Sequence, residues 1–174
     1  MPITRGAARP ITYYGTPVLH RRCADVTAFD EPLAALIDDM FASMYAAAGV
    51  GLAANQIGVD LRVFVYDCPD DDGVRHVGHV VNPVLQEASA LAGTATDTEG
   101  CLSVPGPRAE VPRAAVATVT GFDRNGAPIT VTGTGFFARC LQHECDHLDG
   151  TVYVDRLPAQ RRERLLREAG LLGS

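Results

Sequence analysis

The segment Gln142–Gly150, QHECDHLDG, places two histidines four residues apart with a glutamate after the first. In a helix four residues turn through about 400°, so His143 and His147 share a face and their imidazoles can converge on one cation. Glu144 then stands to the side, where it can hold a water at the ion without occupying the ion. The plain alternative is a solvated polar helix with two surface histidines. Two histidines do not complete a catalytic centre. A hydrolytic metal site uses three protein ligands and keeps a fourth position open.

The third ligand has several candidates. A metzincin would carry a further histidine six residues after His147, but Tyr153 stands there. A thermolysin-like site takes a downstream glutamate, for which Glu163 and Glu168 are the candidates in a short tail. Cys140 shares the face of the two histidines but lies seven residues from His147, about 10.5 Å along a helix. A sulfur that must approach an ion to about 2.3 Å fits this poorly, and Cys140 reads as a small residue facing the core. Cys145 points to the far side. His76 and His79, three apart in a strand, face opposite ways. Cys101, in TDTEGCLSVPGPR, is flanked by Gly100 and by a turn at Pro105-Gly106. A thiolate on such a loop can approach a helix face, although spacing alone leaves a buried thiol open.

These residues need elements to hold them. Residues 31–48 predict an amphipathic helix, with Leu33, Leu36, Ile37, Met40, Phe41, Met44 and Tyr45 on one face. Asp30 suits its cap, Pro32 its first turn and Gly49 its exit. Strand-like runs follow at 62–67 and 79–88, the second with a bend or an edge position at Pro83, and CPDDDGVRH forms a polar turn between them. Residues 114–122 and 127–132 flank Asn125-Gly126, a hairpin signal. A helix over about 135–148 carries the histidines. Residues 151–155 read as a last strand and about 159–172 as a short terminal helix. Strands and helices do not alternate strictly, so the pattern predicts an α+β fold with residues 1–174 as a single domain.

Composition narrows the setting. With 47% hydrophobic and 21% charged residues among 174, the chain can build an ordinary globular core. A net charge of −6 argues against broad nucleic-acid binding. Five irregularly spaced cysteines fit reduced thiols better than a disulfide framework. No apolar run reaches a signal-peptide core or a membrane span. The expectation is a cytoplasmic protein without membrane attachment.

Three segments, GVGLAANQ (49–56), EGCLS (99–103) and QHECDH (142–147), together resemble the signature motifs of peptide deformylases, in the same order and at similar separations. The likeness covers most of residues 10–160. It implies antiparallel sheets packed around a central helix that carries the HExxH motif. It implies a hydrolase that removes the formyl group from formyl-methionyl nascent peptides. By the same resemblance Cys101, His143 and His147 bind a divalent ion, with Fe2+ preferred and Zn2+ or Ni2+ acceptable in preparations. Glu144 is the implied general acid–base, and Gln56 and the Leu102 N–H are the implied oxyanion donors. Val50, Gly51, Arg108, Phe136 and Cys140 are implied to bind the peptide. Arg139 departs from the pattern, standing where many members have an apolar residue near the methionine pocket. The terminal arginines Arg161, Arg162, Arg164 and Arg167 read first as a charged surface helix, with ribosome docking as the functional alternative. Competing readings are a thermolysin-like zinc peptidase and a metal-stabilised binding protein.

Overall fold

The computed structural model describes residues 5–86 and 93–172. Helix α1 spans Glu31–Ala46 and α2 spans Gly135–Leu148. Strands β1 (Gly51–Ala53), β2 (Val63–Pro69), β3 (Arg75–Leu85), β6 (Val116–Phe122) and β7 (Pro128–Thr134) form one antiparallel sheet in the order β1-β2-β3-β6-β7. Strands β4 (Thr94–Cys101) and β5 (Val104–Ala114) form a separate antiparallel hairpin. Helix α3 (Ala159–Glu168) follows.

Strand β2 shows why the large sheet is covered on both sides. Phe64, Tyr66 and Cys68 face a core shared with Phe137, Leu141 and Leu148 of α2, whereas Val63 and Val65 face Leu36, Ile37, Met40 and Met44 of α1. Successive side chains of a strand alternate faces, so a run that is apolar at nearly every position needs a layer on each side. A third cluster joins Val104, Ala109 and Val111 of the hairpin to Tyr153, Leu165 and Leu166. The α+β architecture around a central α2 is therefore as expected.

Several local expectations change. Helix α1 is capped by Asp30, whose Oδ1 accepts from Leu33 N at 3.2 Å, but the left-handed residue at its exit is Ala48 (φ 56°) rather than Gly49. Pro83 marks a bend inside the sheet, not an edge. The β3–β6 register shifts between Val81 and Val84, and Asn82 takes φ 50° while its amide pairs with both backbone groups of Val26. Part of the 79–88 run, 87–88, lies outside the described residues. Residues 151–155 are not a strand. Tyr153–Arg156 is a 3-10 turn in which the Asp155 carboxylate accepts from Val152 N at 2.9 Å. Cys101 itself is in a strand, although the expected turn at Pro105-Gly106 is present as a bulge. Cys101 ends β4, and the chain turns through Leu102-Ser103 into β5, which runs on through Pro105, Gly106 and Pro107. Residues 105–108 have no partner on β4: the register jumps from Cys101 with Val104 to Glu99 with Ala109, and Gly106 takes φ 103°, so Pro105-Gly106 bulges out of the ladder. Helix α3 ends at Glu168, short of 172, with Gly170 at φ 75°.

Helix α2 keeps its expected bounds but is held from outside. Its N-cap residue Thr134 makes no capping bond, and Asp71 from the β2–β3 turn accepts from Phe136 N at 2.9 Å instead. At the other end Arg62, only 7% exposed, donates to Leu148 O at 2.8 Å and pairs with Asp149 at 3.0 Å. A carboxylate at the N-terminus and a guanidinium at the C-terminus both match the helix dipole.

Candidate metal centre

The hairpin end and α2 bring three donor atoms together. His147 Nε2 lies 3.3 Å from Cys101 Sγ and 3.2 Å from His143 Nε2, and all three atoms fall within 4.8 Å of one another. Bonds of about 2.0–2.3 Å at tetrahedral angles would separate such donors by about 3.3–3.6 Å, so the spacing fits one small divalent ion. The protonation pattern fits as well. Glu99 Oε2 lies 2.6 Å from His143 Nδ1, which places a ring proton there and makes Nε2 the nitrogen left to hold an ion. One cation satisfies all three donors at once.

Electrostatics set the rest of the site. Burial works against charge on Glu99, yet His143 and Arg113 hold its carboxyl well below the usual range. Arg113 bonds both Glu99 oxygens, at 3.0 and 2.6 Å, and also reaches Asp146. Burial opposes a charged His143, but the Cys101 sulfur and Glu99 outweigh it and raise its pKa. Burial and the neighbouring His143 push His147 down. Glu144 is 3% exposed, with Oε1 4.0 Å from His143 Nε2, and Oε2 has no hydrogen-bond partner among the described residues. Burial raises its pKa to about 7. A carboxyl balanced near neutrality can both take and return a proton.

A cleft of about 480 Å³ opens onto these groups, within the range of small-ligand sites. Val50, Gly51, Arg108, Phe136, Cys140 and Leu102 all border it, as do Gln56 and Glu144. Gly51 lets β1 approach α2 closely. A Cβ there would lie 2.9 Å from Glu144 Oε1 and 3.0 Å from Cys140 Sγ. Gln56 is fixed by Oε1 accepting from Ala53 N at 3.0 Å. Its Nε2 donates to Ser103 Oγ at 3.1 Å and lies 3.5 Å from Cys101 Sγ. One amide hydrogen is thus used, and the other leans toward the donor set.

The rejected candidates stay apart. His76 pairs with Asp70 at 3.0 Å and stacks on Phe137, while His79 accepts from Arg124 N. Glu163 and Glu168 are exposed on α3 and lie outside the donor set, which removes the thermolysin-like arrangement. Sequence reasoning missed Glu99, Arg113 and Gln142. Glu99 is within EGCLS, and its place two residues before Cys101 was the available signal. Gln142 clamps both backbone groups of Ala114 at 2.9 Å. Nothing local to the sequence announces Arg113.

An α+β protein whose buried helix and hairpin present one sulfur and two imidazole nitrogens beside a buried carboxyl has the parts of a metallohydrolase. The family model for polypeptide deformylase matches residues 8–163. Peptide deformylase 2 of Streptomyces avermitilis is 60% identical over 97% of this chain and 90% of its own length. Peptide deformylase 2 of Streptomyces coelicolor is 58% identical over 97% and 93%. Among solved structures, a peptide deformylase from Legionella pneumophila superposes with a TM-score of 0.85 at 44% identity, over 94% of both chains. One from Ehrlichia chaffeensis in complex with actinonin superposes at 0.83 and 32% identity, over 93% of this chain and 95% of its own. The chain belongs to the polypeptide deformylase family.

Proposed function

We infer that the protein hydrolyses the N-terminal formyl amide of formyl-methionyl nascent peptides and releases formate. The observation that carries this reading is the convergence of Cys101 Sγ, His143 Nε2 and His147 Nε2 beside the unpartnered Glu144 oxygen, in a chain of this family. We take residues 1–174 as one catalytic unit, because the donors come from two separate elements, the β4–β5 hairpin and α2, which a shared fold must hold together.

Cys101, His143 and His147 would hold the ion, which supplies Lewis acidity toward the formyl oxygen and toward the attacking water. Fe2+ is the ion we assign in the cell, with Zn2+ and Ni2+ as substitutes that the same donor set accepts. Glu144 takes the proton of the attacking water and delivers it to the leaving amine. The second Gln56 amide hydrogen and the Leu102 N–H donate to the oxygen that gains charge in the transition state. Val50 and Gly51 offer backbone groups to an extended peptide, as in strand addition. Phe136, Cys140 and the His143 ring border the methionine side chain, and Arg108 flanks the peptide backbone. Recognition through the backbone explains tolerance of varied sequences beyond the first residue.

No helix is long and apolar enough to cross a membrane among the described residues. We place the protein in the cytoplasm, where formylated nascent chains appear. Arg161, Arg164 and Arg167 form an exposed basic face on α3, on which we place contact with the ribosome.

The deciding experiment is formate release from a short formyl-Met peptide by protein prepared without oxygen and loaded with Fe2+. A matched N-acetyl peptide is the control. Release from the formyl peptide alone supports the reading. No release with metal bound would overturn it.

A further inference from the structure

Arg139 lies in α2 four residues before His143, and in sequence it places a charge beside an apolar pocket. Its side chain is 6% exposed. The guanidinium is spoken for: Nη1 donates to Val111 O at 2.6 Å and to Glu99 Oε1 at 3.2 Å, and Nη2 donates to Ala95 O at 2.9 Å. These acceptors lie on both strands of the β4–β5 hairpin.

That hairpin is not paired with the five-stranded sheet. It nonetheless carries Cys101, whereas His143 and His147 ride on α2. A small shift of one element against the other would change the sulfur–nitrogen spacing that the donor set depends on. Arg113 and Gln142 tie the hairpin's β5 end to α2 through Asp146 and Ala114. Arg139 reaches from α2 into the body of the hairpin. It also supplies a second guanidinium to Glu99, the carboxylate that orients His143. Partners one bond behind a metal ligand fix its direction and tautomer.

We propose that Arg139 is a positioning residue of the metal centre. It locks the β4–β5 hairpin onto α2 and holds Glu99 against His143 Nδ1. The proposal rests on the function inferred above for its catalytic consequence, but not for its structural one.

The test compares wild type, R139M and R139K, each loaded with Co2+ and challenged with excess chelator. Loss of the thiolate-to-cobalt absorption gives the metal-release rate. Unfolding of each apoprotein is followed in parallel. R139M keeps an unbranched stem of similar length and removes the three donated bonds. It is expected to release metal about 10–100-fold faster. Its kcat falls with KM for a formyl-Met peptide unchanged within about twofold. R139K, which retains the charge but not the fork, falls between the two. Metal release by R139M at the wild-type rate overturns the proposal. So does a raised KM with unchanged release, which would make Arg139 a substrate contact. If R139M does not fold, release from R139K decides by the same criterion. Failure of wild type to release formate would count against the proposed function and leave the release comparison intact.

Discussion

Glu144 and Gln56 border the same cleft, and because the roles proposed for them differ, their substitutions separate the two. Glu144→Gln keeps the shape of a side chain that is 3% exposed while removing its proton transfer. Formate release should fall by about 10²–10⁴, the usual yield of a general acid–base, with bound metal unchanged on elemental analysis. Full activity in that variant would refute the role assigned to Glu144. Gln56→Ala removes the amide that now bonds Ser103 and faces the Cys101 sulfur. A drop of about 10²–10³ in kcat is expected, typical of one lost oxyanion donor. Cys101→Ala should abolish metal retention, whereas Glu168→Ala should leave it at the wild-type level.

At the level of elements, α2 works only at a set distance from β1. Gly51 sets that distance, since a methyl group there would meet Glu144 Oε1 and Cys140 Sγ at 2.9 and 3.0 Å. Gly51→Ala should therefore reduce kcat/KM well beyond any change in unfolding midpoint, measured on the same preparation. The end of α2 is a separate matter. Arg62 caps the carbonyl of Leu148 one residue beyond His147, from a position 7% exposed. Arg62→Met leaves that carbonyl without its charged donor and should cost about 1.5–3 kcal/mol in denaturant unfolding. The hairpin at Asp123–Ala127 makes a quieter point. Asn125-Gly126 signalled a turn, and the bond from Gly126 N to Asp123 O with Gly126 at φ 82° makes it a type I turn followed by a bulge glycine, rather than a two-residue loop.

Across the whole molecule, acid sensitivity follows from carboxylates with fixed partners. Arg75 holds the Asp67 carboxyl below its ordinary range, with the Tyr45 hydroxyl adding to the effect. A lowered folded pKa means that this contribution is full above the ordinary carboxylate pKa and disappears as pH falls through the lowered value. Asp67→Asn should flatten that part of the melting-temperature profile between about pH 2 and 5 and leave the alkaline side unchanged. The basic face of α3 is tested by substitution rather than truncation. Leu165 and Leu166 pack in the hairpin's core cluster, so removing 160–174 would uncover that cluster as well as remove charge. The ribosome contact proposed on that face predicts that replacing Arg161, Arg164 and Arg167 by alanine reduces co-sedimentation with ribosomes while leaving hydrolysis of a short peptide intact. Wild type that does not co-sediment, or a variant that does so equally, would refute the contact.

The sequence by itself determined the parts that depend on nearby spacing. An i, i+4 pair on an amphipathic run makes α2 and its two imidazoles. Asp30, Pro32 and the apolar face make α1, and the three short motifs together identify the family. Tertiary structure decided what depends on residues far apart in the chain. Cys101 was legible only through the motif that contains it, because no local rule brings residue 101 within 3.3 Å of His147. Proline and glycine after Cys101 suggested a turn, and residues 105–108 do bulge out of the ladder with Gly106 at φ 103°, but pairing with β4 before and after the bulge keeps the segment in the hairpin. Residues 151–155 failed the other way. Their alternating Val and Tyr favour a strand, but Asp155 turns the backbone into a 3-10 bend and Tyr14 OH holds that carboxylate at 2.6 Å. Arg139 is the sharpest case. From sequence it is a charge beside an apolar pocket, and only the packed hairpin supplies the three acceptors that turn the charge away. Burying a guanidinium is costly without partners, and those partners exist only once the chain has folded.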